Sequence, residues 1–219
     1  MGRRYSHLAF GPRSLDRQVQ AGSVVAYGAD LETPDSGPQE ITEREIRMLT
    51  SVFQFHLASV TPQGWPYIQY RSGPVGFLHH LGGNRFGFPD FYGNQQFVSV
   101  GNIEADDRVA LFVADFPRRT RIKVFGRATV VDATADPALA DILGHVDGRA
   151  IATPVERCVL IDVEAFDWNC ARSLIPQFTA EMIRDRTQPY AERIVELQEE
   201  VERLRAELAA ARGGDEPGS

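Results

Sequence analysis

Between residues 52 and 131 the chain alternates apolar and polar positions in short stretches that turn residues separate. Alternation with a period of two indicates half-buried β-strands, and several short strands broken by Gly, Pro and Asn are typical of a small barrel or sandwich. A later alternating stretch is expected to close the sheet. The predicted strands are 53–60, 66–71, 77–81, 85–88, 109–115, 121–131 and the closing strand 157–166.

Helix signals flank these strands. Thr42 and Glu45 have the spacing of a capping box, and they predict a helix that ends near Thr50. Asn94 is placed to cap a second helix, which the Gly101-Asn102 pair would stop. The other predicted short helices are 14–20 and 137–143.

A heptad pattern follows the β-rich region, with apolar residues alternately four and three positions apart. This spacing predicts a helix with one apolar seam and polar flanks. The seam either packs on the chain's own barrel or pairs with a second copy, and its regular spacing favours pairing. The seam residues are Tyr190, Ile194, Leu197, Val201, Leu204 and Leu208.

These patterns divide the 219 residues into four segments. Residues 1–40 mix Gly, Pro and charge, which is typical of an extended N-terminal arm. Residues 41–175 form the β-rich domain, 176–212 form the C-terminal heptad helix, and 213–219 have the composition of a disordered tail. The predicted fold class is therefore mainly β, a barrel with peripheral helices and a C-terminal helix.

Basic residues cluster in one strand of this acidic chain, whose formal net charge is -7. Residues 118–127 include five basic side chains and no carboxylate. Because strand side chains alternate, Arg119, Arg121 and Lys123 are predicted to share one face, with apolar residues behind them. A cationic face suits one compact anion such as a phosphomonoester, whereas the acidic net charge argues against nucleic acid. A solvated edge strand is the alternative.

Several classes of protein are not expected. No stretch approaches the ~20 apolar residues that span a bilayer, and the N-terminus lacks an apolar signal sequence, so we expect a soluble cytoplasmic protein. Cys158 and Cys170 have no neighbouring ligands, which argues against a zinc site or a disulfide scaffold. No phosphate-binding glycine loop or nucleophile motif is present.

Three segments of the β-rich domain, in their order and spacing, resemble the pyridoxamine 5'-phosphate oxidase-like family of FMN-binding split barrels. The resemblance covers about 52–131, with 157–166 as the closing strand. Trp168-Asn169-Cys170 and the heptad tail resemble a less characterised subgroup of that family. The three segments are Gly-Trp-Pro-Tyr-Ile-Gln-Tyr-Arg at 64–71, Phe-Gly-Phe-Pro-Asp-Phe-Tyr-Gly-Asn-Gln-Gln at 86–96, and Arg-Thr-Arg-Ile-Lys-Val-Phe-Gly at 119–126.

The resemblance implies a Greek-key antiparallel split barrel, and a homodimer with FMN at the subunit interface. It assigns no catalytic residue and no metal, and it leaves Tyr92 and Trp168 as candidates for the substrate pocket. The implied cofactor-binding residues are Gln69, Tyr70 and Arg71 along the ring and ribityl chain, Asp90 and Phe91 beside them, Asn94, Gln95 and Gln96 at the phosphate, and Arg119, Arg121 and Lys123 as its counter-charge.

The chain departs from the family pattern at the phosphate. The family commonly has Ser and then Arg or Lys where Asn94, Gln95 and Gln96 stand, so two positive charges are missing unless Arg119 or Arg121 compensates. The chain also lacks the Arg-rich C-terminal ending with which true pyridoxamine phosphate oxidases hold their substrate. Oxidation of vitamin B6 is therefore not expected.

The function implied is that of an FMN-dependent oxidoreductase, which acts on a small organic substrate by hydride transfer, with NAD(P)H or oxygen as the other redox partner. A non-catalytic carrier or sensor of flavin or haem is the alternative, because fold does not fix function. A deazaflavin coenzyme is a further alternative cofactor.

Overall fold

A computed structural model describes residues 3–169 and 172–213 of the chain. The chain divides into two compact units, one ending at Ile175 and the other beginning at Pro176, and each is described by itself. Cys170 of the Trp-Asn-Cys segment and the predicted tail beyond Gly213 lie outside the described residues.

The first unit is built on a seven-stranded antiparallel sheet with the strand order β2-β1-β5-β6-β9-β4-β3. No described backbone pairing joins β2 at one end of this order to β3 or β4 at the other, so the mainly-β barrel is split along that seam. A separate hairpin pairs β7 with β8. The strands are β1 (Gln54–Val60), β2 (Pro66–Ser72), β3 (His79–His80), β4 (Arg85–Phe91), β5 (Arg108–Asp115), β6 (Thr120–Asp132), β7 (His145–Val146), β8 (Arg149–Ala150) and β9 (Val155–Asn169).

Alternating side chains from these strands form one apolar core. β1 alternates buried and half-buried positions along its whole length, with Phe55 and Leu57 facing inward. The predicted apolar back of the basic strand is confirmed, because Ile122, Val124 and Ala128 are all buried in the core. All seven predicted strands are confirmed, with ends that differ by a few residues.

Gly126 marks an irregularity in the longest strand pairing, between β6 and β9. The register shifts between Phe125 and Gly126. A Cβ atom at Gly126 would lie 2.8 Å from the Asp162 carbonyl oxygen and 2.8 Å from Ile161 Cγ2, both in the facing strand. A glycine is therefore needed here for close approach of the two backbones.

The N-terminal segment is mostly helical. The helix expected near 14–20 is present, but the prediction that the rest of the segment is an extended arm was wrong. Tyr5 is buried and stacks on Phe125, with ring centroids 5.4 Å apart, and Arg4 pairs with Glu164 of β9 at 2.6 Å. These tertiary contacts stabilise a segment whose composition alone gives little indication of helix. The helical turns are α1 (Arg3–Ala9), α2 (Pro12–Ala21), α3 (Val24–Tyr27) and a 3-10 turn at Ala29–Glu32.

Two predicted helices are confirmed, α4 (Glu43–Thr50) with its Thr42 and Glu45 capping box, and α6 (Pro137–Leu143). The second helix, α5 (Val98–Ala105), begins and ends later than predicted. Asn94 does not cap it.

Asn94 instead closes a local turn, its Oδ1 accepting a hydrogen bond from the Gln96 backbone N–H at 3.2 Å. Gln95 and Phe97 both have positive φ, 57° and 52°, so the backbone cannot enter a helix before Val98. The predicted stop signal also failed, because Asn102 is buried inside the helix and donates to Ser59 Oγ at 3.0 Å.

The second unit is the helix α7 (Ala180–Gly213), which contains Pro189. The heptad prediction of a long C-terminal helix is thus confirmed. Among the helices of the described residues, none combines the length and the hydropathy that crossing a membrane requires.

Candidate functional site

A polar cavity of about 240 Å³ lies at the seam of the barrel, between β2, β4 and the start of α5. Its volume is slightly below the range of about 300–1,000 Å³ that is usual for small-molecule sites, and it is open on one side. The structure places seven of the eleven predicted cofactor-binding residues in its lining. They are Gln69, Arg71, Asp90, Phe91, Asn94, Gln95 and Gln96.

A buried carboxylate organises the charged side of this cavity. Asp90 accepts a hydrogen bond from Arg71 of β2 at 2.6 Å through one oxygen and from Arg157 of β9 at 2.9 Å through the other. Its side chain is only 7% exposed. Because β2 and β4 share no described backbone pairing, the Arg71–Asp90 ion pair joins the two sides of the seam through side chains.

Arg157 is a lining residue that the sequence analysis missed. Its guanidinium lies 5.0 Å from the centre of the Phe97 ring and also donates to Glu156 at 2.8 Å. Burial lowers the pKa of Arg157, but the hydrogen bond and charge of Asp90 outweigh it, so the pKa is raised and the side chain stays cationic. The signal that could have found it is the β4–β9 register, which sets Arg157 directly opposite Asp90.

The opposite wall is formed by neutral donors and acceptors. Gln69 Oε1 accepts a hydrogen bond of 2.5 Å from Ser99 Oγ, which fixes the Gln69 amide against the first turn of α5. Phe97 precedes that turn without a side-chain cap, and Val98, Ser99 and Val100 all line the cavity. The backbone N–H groups at the start of a helix have no partner within the helix and attract anions.

Three other predicted residues lie elsewhere. Tyr70 points to the other face of β2, where it is 51% exposed and donates to Gln54 at 2.8 Å. Tyr92 is exposed and is not part of the cavity lining. Trp168 lies against α4, where its Nε1 donates to Glu45 at 2.7 Å. Strand alternation places Gln69 and Arg71 on one face of β2 and Tyr70 on the other. Tyr70 lines a neighbouring cavity of about 170 Å³, which Arg71 and Phe91 also line.

The basic strand also lies outside the cavity lining of its own chain. Arg121 and Lys123 share a face of β6, and both are half-buried. Lys123 Nζ donates to the Tyr5 hydroxyl at 2.7 Å and lies 3.3 Å from Asp167. Burial lowers the pKa of Lys123, but Tyr5 and Asp167 together outweigh it, so the pKa is raised. A role for these residues in cofactor binding stays a prediction.

Arg119 does not share the face of β6 that carries Arg121 and Lys123, so this part of the prediction was wrong. It precedes β6 with a φ of 56°, so it lies in a turn, and its Nε donates to the Leu174 carbonyl at 3.1 Å. Alternation of side chains applies only within a strand.

Glu45 has a structural role beside Trp168. Its carboxylate is buried and accepts hydrogen bonds from Thr42 and from the Trp168 indole, while the Arg44 guanidinium lies 4.1 Å above the Trp168 ring. Burial raises the pKa of Glu45, but these hydrogen bonds outweigh it and leave the pKa lowered.

We expect Glu45→Ala to lower the free energy of unfolding by about 2–3 kcal/mol at pH 7, because it removes charge-assisted hydrogen bonds and leaves the indole N–H without its acceptor. The pKa of Glu45 in the folded state lies below its ordinary value of 4.5, so the contribution is complete above pH 4.5 and is lost as the pH falls through the folded-state pKa. Urea unfolding of the wild-type and Glu45→Ala proteins, at pH values above and below 4.5, measures this difference in the free energy of unfolding.

The matched control is Glu43→Ala on the same helix, where the carboxylate is exposed and pairs with Arg47. It should cost about 0.5 kcal/mol or less. Equal losses in the two variants, or a Glu45→Ala loss that stays constant at low pH, would contradict the role of the buried carboxylate.

The residues of the cavity fit a group that carries a phosphate. Arg71 Nε is buried and has no hydrogen-bond partner among the described residues. Arg71 and Arg157 both line the cavity, and guanidinium groups bind phosphate oxygens through charge-assisted hydrogen bonds. The amides of Asn94, Gln95 and Gln96 and the start of α5 supply further neutral donors around it.

Comparisons with solved structures find low sequence identity and partial overlap. HupZ of Group A Streptococcus is 16% identical, with 63% of this chain and 100% of that chain covered and a TM-score of 0.44. A Clostridium acetobutylicum protein of the pyridoxinephosphate oxidase family, related to general stress protein 26 of B. subtilis, is 15% identical, with 64% and 98% covered and a TM-score of 0.42. An F420 reductase is 21% identical, with 58% and 98% covered and a TM-score of 0.41.

Structural similarity at such low sequence identity does not indicate a shared activity. A comparison with curated proteins finds no match. The family model described as pyridoxamine 5'-phosphate oxidase matches residues 42–167, which is more than half of the chain and includes β1 to β6 and the cavity lining. The chain therefore belongs to the pyridoxamine 5'-phosphate oxidase family.

Proposed function

We propose that this protein binds FMN in the cavity at the barrel seam and is a flavin-dependent oxidoreductase acting on a small organic substrate. The observation that carries the proposal is the convergence of seven predicted cofactor-binding residues on one cavity, where Arg71 and Arg157 are both held by Asp90. Bound flavin would supply the hydride chemistry, so the protein needs few catalytic side chains of its own.

The chain's own residues would orient the cofactor. Arg71 and Arg157, both held by Asp90, would provide the positive charge for the phosphate, and the start of α5 would provide backbone N–H donors. Gln69, fixed by Ser99, would hydrogen-bond the ribityl chain or the ring edge. Asp90 and Glu156 offset the two guanidinium charges, so this arrangement would supply charge-assisted donors without replacing the two charges that Gln95 and Gln96 do not carry.

We further propose that the active species is a homodimer. The cavity is open and small for FMN, so a second protomer would complete its wall. Arg121 and Lys123 lie outside the cavity of their own chain, and they could reach a cofactor only across such an interface. A cytoplasmic location, where reduced nicotinamide is available, fits this proposal.

The visible spectrum of the purified protein, before and after FMN is added, tests the proposal. We expect flavin absorbance bands that a reduced nicotinamide or a small organic donor bleaches under anaerobic conditions. Reversible binding without bleaching by any donor would favour the non-catalytic flavin carrier. A Soret band would indicate haem instead of FMN as the cofactor. A protein that binds neither flavin nor haem would refute the proposal.

A further inference from the structure

The seam of α7 is an exposed apolar stripe. Its six residues, from Tyr190 to Leu208, are between 43% and 70% exposed along the second unit. The stripe begins directly after Pro189 and repeats without interruption over 190–208. A helix that leaves such a stripe in water is poorly stabilised alone, because most helical stability in proteins comes from packing of the apolar face.

The residue types along the stripe indicate how many helices would pack together. When Ile194 is assigned to heptad position a, Val201 and Leu208 are also at a, and Tyr190, Leu197 and Leu204 are at d. The two central heptads therefore have a β-branched residue at a and Leu at d. In parallel coiled coils, β-branched residues at a combined with Leu at d favour two strands over three or four. The partner that fits this face is therefore one second copy of the same helix.

The flanking charges indicate the orientation. Glu200 is at position g and Arg205 is at the following position e. In a parallel, in-register pair, Glu200 of each chain faces the partner's Arg205, which gives two ion pairs across the seam. Within one helix these residues are five positions apart and do not meet; Glu200 pairs instead with Arg203, and Arg205 with Glu202 at 3.0 Å.

An antiparallel pair with the same apolar overlap is less favourable. It would have two Arg193–Glu207 attractions across the seam, but it would also set Glu200 opposite the partner's Glu200, and this repulsion would offset part of the gain. The parallel pair has its two Glu200–Arg205 attractions and no such repulsion.

We propose that α7 of two chains forms a parallel, in-register, two-stranded coiled coil over residues 190–208. The proposal rests on the helix alone and does not depend on the cofactor.

Disulfide cross-linking of the full chain tests this arrangement. Leu204→Cys, at position d, is expected to give a covalent dimer on mild oxidation, since the two copies of residue 204 meet only in a parallel, in-register pair. The matched control is Ala206→Cys on the outer face of the helix, which should remain monomeric on a denaturing gel. Both variants carry Cys170→Ser, while Cys158 is buried and stays in place.

Charge reversal gives a second test with its own rescue. Arg205→Glu in the Leu204→Cys chain should reduce cross-linking, because Glu would face Glu200 across the seam, and adding Glu200→Arg should restore it. The proposal is overturned if Leu204→Cys and Ala206→Cys cross-link equally, if neither cross-links, or if the full-length chain sediments as a monomer.

Discussion

Replacing Arg157 with Met is expected to weaken FMN binding by about 10- to 100-fold, because a charge-assisted hydrogen bond contributes about 1.5–3 kcal/mol and each 1.4 kcal/mol is tenfold in affinity. Riboflavin lacks the phosphate, so its affinity should change little. Fluorescence titration of the wild-type and variant proteins with both ligands measures the difference. Met keeps the length of the side chain that packs beside Phe97.

The control is Arg85→Met, on the same pair of strands. Arg85 is half-exposed and pairs with Asp162 outside the cavity, so its replacement should leave both affinities unchanged. If Arg157→Met weakens the affinities for FMN and riboflavin equally, Arg157 does not contact the phosphate. The proposal that flavin binds in the cavity would not be affected by that result. A wild-type protein that binds neither ligand would instead refute the cofactor proposal itself.

Replacing Asp90 with Ala is expected to have the largest effect on stability. The carboxylate is buried and holds two guanidinium groups whose side chains are 15% and 16% exposed, so its removal takes the buried carboxylate away from Arg71 and leaves Arg157 paired with Glu156 alone. Loss of one partner from a buried ion pair costs about 3–5 kcal/mol. Urea unfolding monitored by circular dichroism, at pH 7 and constant ionic strength, measures this loss.

Asp162→Ala serves as the comparison, since Asp162 also pairs with an arginine across β4 and β9, but in an exposed position. Exposed pairs contribute about 0–1 kcal/mol, so this variant should be close to wild type. Adding Arg157→Met to Asp90→Ala should recover part of the lost stability by removing a buried charge that has lost one of its two acidic partners. Equal losses in Asp90→Ala and Asp162→Ala would show that the seam is hydrated and that Asp90 does not organise it.

The prediction of the phosphate-side helix shows where sequence reasoning failed. Asn94 has the residue type of an N-cap, but the helix begins four residues later, at Val98. The positive φ angles of Gln95 and Phe97 are held by the surrounding structure rather than by local preference, since neither residue favours that region. As a result, Asn94, Gln95 and Gln96 line the cavity as a loop instead of forming the first turn.

The basic strand shows a different limit. Its alternation was read correctly within β6, because side-chain direction follows from the backbone period alone, and the apolar face of Ile122 and Val124 is buried as predicted. Which partner the cationic face meets depends on segments distant in sequence. Lys123 meets Tyr5 of α1 and Asp167 of β9, neither of which the strand pattern could reveal.

The sequence alone determined the strands, the capped helix α4, the long heptad helix and the family, because these depend on local periodicity, on short-range hydrogen bonding and on the spacing of motifs. Only the tertiary structure decided the site. Strand register sets Arg157 opposite Asp90, and the split seam brings Arg71 to the same carboxylate from a strand that shares no described backbone hydrogen bond with β4. Register and seam closure are fixed by the packing of the whole core, so no local stretch of sequence encodes them.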